Sequence, residues 1–298
     1  KNHGGAIYNY NGELTITEST LQGNTAQGDG GAIYNSGELT ITESMLNGNT
    51  AQKKYGGAIY NREGELTITE STFRGNASYR AGGAAYNFRG QLTITGSTLN
   101  KNKTDEAFYG YGGAICNNGG ELTITKSTLT NNNAPSGAAV SNDDGELTII
   151  GSTITGNTSD GLFNGGAIFN NEEGKITICD STLNKNTTRG LRGGGAIQNW
   201  GEITITKSSL TGNTSNQDGG AIENNKGEIT ITESTLTQNT ADKNGGAIYN
   251  SLGSLTITES TLTGNTADKN GGAIGIYNKE KSLNIKNCKL ENNKPNDI

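Results

Sequence analysis

The sequence predicts an all-β fold, a parallel β-helix of about eleven coils with three short strands per coil. Three observations carry that reading. A unit close to 26 residues long recurs eleven times along the 298 residues, and a period of this size marks a solenoid, a propeller or an array. Nearly every copy contains Leu-Thr-Ile-Thr or a close variant, whose period-two alternation is that of a strand rather than a helix. Finally, only 30% of residues are hydrophobic, with 46 Gly and 2 Pro. So polar a chain buries a core only by stacking identical coils, and its strict register argues against disorder.

Each unit opens on Gly-Gly-Ala. The copies start at Gly4, Gly30, Gly56, Gly82, Gly112, Ser136 (as Ser-Gly-Ala), Gly165, Gly194, Gly219, Gly245 and Gly271. Gly5's column reads as Gly throughout, which predicts positive φ or close backbone approach at a corner. The first strand follows, with Ile7 pointing inward. Its Tyr8 column drifts through Tyr, Cys, Val or Ser, Phe, Gln and Glu, and so reads as outward. Asn9 recurs in ten coils, with Ser141 as the exception. In the second strand Leu14 and Ile16 point inward, and Thr15 and Thr17 point outward. Ser19, replaced once by Cys288, marks a bend that wants a small group. The third strand buries Leu21, and Asn24 recurs in all eleven coils. Inward amides after a strand end can bond turn backbone and the amides above and below, which predicts two asparagine ladders. Five ladder residues, Asn76, Asn102, Asn157, Asn186 and Asn213, also open Asn-x-Ser/Thr triplets. Burial would make these unusable for glycosylation. Eleven coils about 4.8 Å apart give a rod roughly 50 Å long.

The bulk numbers exclude several classes. A net charge of −6 leaves no electrostatic footprint for nucleic acid. No apolar run approaches the length of a membrane span, so no membrane insertion is expected. Neither a signal peptide nor an initiator Met opens the sequence. It reads as a single domain over 1–298, a segment of a longer protein. Residues 271–298 form an atypical, charged last coil in which Asn284 and Lys286 replace outward Thr. The first coil is of interior type and predicts an edge that pairs with further chain or with another molecule. End-to-end self-association into a filament is therefore one alternative role. Cys116, Cys179 and Cys288 lie far apart in repeat space and predict three free thiols, with no disulfide framework and no metal-ligand spacing.

The pair Gly-Gly-Ala-Ile, literal nine times, and Phe-x-x-Asn, literal at Phe73-Arg74-Gly75-Asn76, resembles the polymorphic outer membrane protein repeats of chlamydiae. Similar units fill adhesin-like surface proteins. The resemblance covers essentially the whole chain. It implies a right-handed parallel β-helix, displayed at the cell surface or outside the cell as a stalk or passenger.

Chemistry has few places to reside. Pectate-lyase-like polysaccharide-degrading enzymes share the implied fold and need clustered carboxylates beside a Lys, Arg or His. The best cluster is Asp143, Asp144, Glu172 and Glu173, at the turn before the second strand, where it could bind calcium or act as an acid pair. It lies on a turn rather than in a cleft, and the sole histidine, His3, is at the far end. The chain is therefore read as non-enzymatic, with no cofactor and no metal. The outward Thr-x-Thr wall is similar to that of insect antifreeze solenoids, and ice binding is a further alternative. The most irregular segment is the loop before each Gly-Gly. This corner carries Tyr79, Arg80, Phe108, Tyr109, Tyr111, Phe163, Arg189 and Arg192. Aromatic and Arg side chains on exposed loops suit interfaces and sugar sites. These eight are the expected binding residues for a host or neighbouring-cell surface protein or glycan.

Overall fold

A computed structural model describes residues 3–106, 110–161, 165–278 and 282–295. Each strand pairs in parallel with its counterpart one repeat away, and the chain winds into four walls. Three are the walls the sequence predicts. The first runs from Ile7–Asn9 to Ile274–Ile276, the second from Glu13–Thr17 to Leu283–Lys286, and the third from Thr20–Gln22 to Lys289–Glu291, each with 11 strands. A fourth ladder of 10 two-residue strands, Thr25–Ala26 to Thr266–Ala267, completes the coil. Two residues contain no alternation, so periodicity cannot reveal this wall.

The register places like on like. In the second wall Leu39 pairs with Leu66 and Ile41 with Ile68, and the same match repeats along the rod. The Ile7, Leu14, Ile16 and Leu21 columns, with Phe73, meet in one continuous core. Its side chains are almost fully buried from Ile33 to Ile274. Every interior coil thereby buries apolar area against two neighbours that no isolated unit could offer.

Two of the bends in each coil, those flanking the third wall, place a residue in the left-handed region. Glu18, Glu43, Glu70 and Lys126 take φ of 46° to 48° there, and Gly96 and Gly151 fill the same column at 59° and 57°. The bend turns the following serine inward. Ser44 Oγ accepts from Ser19 N at 3.0 Å and donates to Thr42 O at 2.7 Å. Gly23 and Gly48 act likewise before Asn24 and Asn49. Asn49 Nδ2 donates to Asn76 Oδ1 at 2.9 Å and to Leu21 O at 3.0 Å, while Asn49 N donates to Asn76 Oδ1 at 3.0 Å. In the other ladder Asn35 Nδ2 donates to Asn61 Oδ1 at 2.8 Å and to Gly37 O at 2.9 Å. Both ladders are therefore internally satisfied, as buried amides require. The five triplet asparagines are fully buried within one of them.

The structure corrects the register of the sixth coil. Ile115 pairs with Val140, Cys116 with Ser141 and Asn117 with Asn142. That unit opens at Gly137 as Gly-Ala-Ala-Val, one residue later than the Ser-Gly-Ala reading. Ser141 thus sits in the Tyr8 column, and Asn142 keeps the ladder. The true interruption is Ile276, which pairs with Asn250. Gly5's column also holds one alanine, Ala138. Both glycines meet close backbone, a Cβ on Gly30 lying 2.1 Å from Ile33 O and one on Gly31 2.0 Å from Gly57 O, and Gly30 alone adds a positive φ of +66°. The three cysteines are unbonded to one another.

Candidate functional site: the loop corner over the first wall

The loops before Gly-Gly cross the outer face of the first wall. The Tyr8 column beneath them lies outside the main core, as read, and Tyr8 itself is exposed, yet from Tyr34 to Glu223 the column is buried. Tyr34, Tyr60 and Tyr86 are at most 9% exposed and stack with ring centroids 5.3 and 5.4 Å apart. Tyr55, from the loop, sits 4.6 Å from the Tyr86 ring. The corner has its own backbone rungs, Tyr55 to Ala81, Ala81 to Tyr111 and Tyr111 to Ser136. These rungs roof the column and make a second apolar cluster with Cys116. Burial, reinforced by Asp29, pushes the Tyr60 hydroxyl well above the usual phenol range. Burial also raises the Tyr86 hydroxyl and the Cys116 thiol.

The expected binding residues separate by position. Tyr79 is 44% exposed, and Arg80, Arg189 and Arg192 are also exposed on this corner. Arg80 Nη1 donates to Tyr55 Oη at 3.5 Å, so its guanidinium bridges two loops. Tyr111 is half-buried and packs onto the second cluster, 6.2 Å from the Phe169 ring. It is therefore a roof residue as well as a corner residue. Phe108, Tyr109 and Phe163 lie outside the described residues.

In coils eight and nine the same column changes chemistry. It holds Gln198 and Glu223, paired in register, both nearly fully buried. The Glu223 carboxylate accepts from Gly193 N and from Asn225 Nδ2, the latter at 3.1 Å. Gly193 reaches it with φ of +111°, a conformation suited to glycine. Its loop is pinned: Ser215 Oγ donates to Gly193 O at 2.8 Å, and Thr188 Oγ1 to Gly194 O at 3.0 Å. Beside Glu223 opens a pocket of about 240 Å³ that also exposes Arg192, Asp218, Lys243, Tyr249 and Ser251. Asp218 is fixed by Asn244, whose N and Nδ2 donate to Oδ1 at 3.0 and 2.7 Å. Burial raises the Glu223 carboxyl above its ordinary range, while the Gly193 and Asn225 donors oppose the shift. Burial together with Asp218 and Glu223 pushes the Tyr249 hydroxyl up to about 12. Sequence reading missed Asp218, Glu223, Lys243 and Tyr249. The available signal was the drift of an otherwise aromatic column to Glu.

The acidic turn does not bring its four carboxylates together. Asp143 and Asp144 share one donor, Asn171 Nδ2, at 2.7 Å from Asp144 Oδ1. Asp143 Oδ2 also accepts from Asn118 Nδ2 at 2.6 Å, and Glu172 pairs with Lys226 at 3.1 Å. Among the described residues no group of three or more His, Cys, Asp or Glu side chains is placed to hold a metal ion. The outward threonines keep register from Thr15 to Thr256, with exposed glutamates such as Glu38 and Glu65 along one border.

The right handed beta helix region model matches residues 4–171. The Chlamydia polymorphic membrane protein repeat model matches residues 233–251 and 259–277. No curated protein and no solved structure matches the chain. With more than half its length matched by that model and its coils stacked in parallel from end to end, this chain belongs to the right-handed beta helix family.

Proposed function

We propose that this chain is a non-enzymatic, surface-displayed β-helix, an adhesin-like stalk or passenger. Its loop corner binds a host or neighbouring-cell surface through protein or glycan. The observation that carries this reading is the alignment of the irregular residues. Tyr79, Arg80, Arg189, Leu191 and Arg192 are all exposed on one corner of an otherwise repetitive rod. Repeating walls present the same face at every coil, whereas loops can differ from coil to coil without disturbing the core. The match of two late segments to polymorphic membrane protein repeats supports the surface location.

The test is a trimmed loop. Residues 105–109 are replaced by a two-residue turn, leaving Gly110 and Tyr111 because Tyr111 is a rung of the roof. Cell-surface or glycan-array binding should fall at least tenfold with the melting temperature nearly unchanged. Equal binding by the trimmed and parent rods would refute the corner as the binding surface.

The in-register threonine column supports a second reading, an ice-binding face. Thr125→Lys should then reduce thermal hysteresis without unfolding the rod. Absence of hysteresis and of ice shaping at high protein concentration would end that reading.

A further inference from the structure

We propose that the pocket on coils eight to ten is a subsite for a single neutral sugar residue, held by Arg192, Asp218, Glu223, Lys243 and Tyr249. The proposal rests on reading the corner as a binding surface and assigns its ligand class. Four observations support it.

First, Glu223 breaks its column. The frame accepts tyrosine at this position in coils two to four, where the side chain is buried and stacked. A buried carboxylate weakens a fold unless donors meet it. Here the chain supplies two, Gly193 N and Asn225 Nδ2. Second, the groups are held before any ligand arrives. Asp218 is fixed by two bonds from Asn244, and the loop bearing Arg192 is pinned by Thr188 and Ser215. Such preorganisation lowers the ordering cost of binding.

Third, the charges balance. The pocket presents two cations, Arg192 and Lys243, and two carboxylates, Asp218 and Glu223. A ligand of either sign meets as much repulsion as attraction. A hydroxyl does not: it donates to a carboxylate while its oxygen accepts from a cation. A sugar ring carries several such hydroxyls on adjacent carbons, and the half-buried Tyr249 offers a ring for its apolar C–H face. Fourth, about 240 Å³ lies below the roughly 300–1,000 Å³ of drug-sized sites, which suits one ring and its hydroxyls.

The test titrates the intact protein with methyl glycosides of neutral hexoses and N-acetylhexosamines, followed by saturation-transfer NMR. Methyl uronides and aminosugar glycosides serve as charged comparators. At least one neutral glycoside should bind saturably and more tightly than its charged analogues. Arg192→Ala and Glu223→Gln should each weaken it at least tenfold. Arg192 is exposed, so its variant keeps the test valid should Glu223→Gln fold poorly. An array carrying the same sugar as a chain terminus shows whether the source is a free sugar or a surface glycan. Saturable binding by no neutral glycoside, or binding undiminished in Arg192→Ala, overturns the proposal. If trimming 105–109 abolishes cell binding while Arg192→Ala changes neither cell nor sugar binding, the pocket assignment falls and the corner reading stands.

Discussion

The outer column of the first wall is filled with stacked tyrosines in coils two to four and with Gln198 and Glu223 in coils eight and nine. Backbone register is the same in both regions. What differs is the loop above. Where the loop supplies Tyr55, Ala81 and Tyr111, the column becomes a second apolar core. Where it supplies glycine N–H groups, the column carries acceptors and a polar pocket opens beside it. The repeat fixes where a side chain points, and the loop decides what that side chain can be.

The largest effect should come from opening the apolar region. Tyr60→Ala removes a buried ring between two stacked neighbours and should cost about 3–5 kcal/mol, as for other buried aromatics. A shift of the guanidinium midpoint equivalent to under about 1 kcal/mol would show that the roofed column is not a core. The ladders are common to both regions, so they sharpen the comparison from the other side. Asn132→Ala and Asn213→Ala each strip an amide that both donates to and accepts from its neighbours. Both should cost about 1–3 kcal/mol. Equal losses would show that the frame is uniform under both corners, and a large inequality would show that it is not.

Much of this frame was legible in the sequence. Period, alternation and fixed asparagines gave three walls, the core and both ladders, because each feature recurs in ten or eleven coils and errors average out. The sixth coil was misread because Ser136-Gly137-Ala138 imitates the opening motif, and only pairing with Ile115 fixes the true start. The fourth wall is too short to alternate. The left-handed bends at Glu18 and Lys126 are occupied by charged residues with no turn preference of their own, and their glycine-containing column was the only clue. The pocket left only one trace in the sequence, the drift of an otherwise aromatic column to Gln198 and Glu223. Glu223 reads as a surface charge until the Gly193 loop is seen to cover it, since burial by a loop is a tertiary fact.

Two smaller effects follow from the buried titrating groups. Alkylation under native conditions should spare Cys116, which is buried with its thiol raised by desolvation, while denaturant should expose three thiols. Modification of Cys116 at the rate of Cys288 would contradict the roofed column. The carboxyls of Glu223 and Asp143 are raised in the fold, chiefly by burial. The folded state then binds more protons than the unfolded state between the ordinary and the raised values. The contribution of these two groups to stability should therefore be fully present below the ordinary carboxylate range and be lost as pH rises through the folded values. Glu223→Gln should flatten part of that slope in denaturant midpoints measured across pH. A slope unchanged in the variant would place the Glu223 carboxyl in water.

The central claim is that the repeats carry stability and the irregular corner carries binding. It is tested most directly on a rod whose corner has been regularised. Residues 105–109 are trimmed, and 189–192 are replaced by the shorter Asp-Lys-Asn turn found at 242–244. Gly193 is kept because it holds Glu223. Denaturation midpoint and cell-surface binding are read on the same samples. The account predicts an unchanged midpoint and binding lost. Full binding on the regularised rod would contradict it.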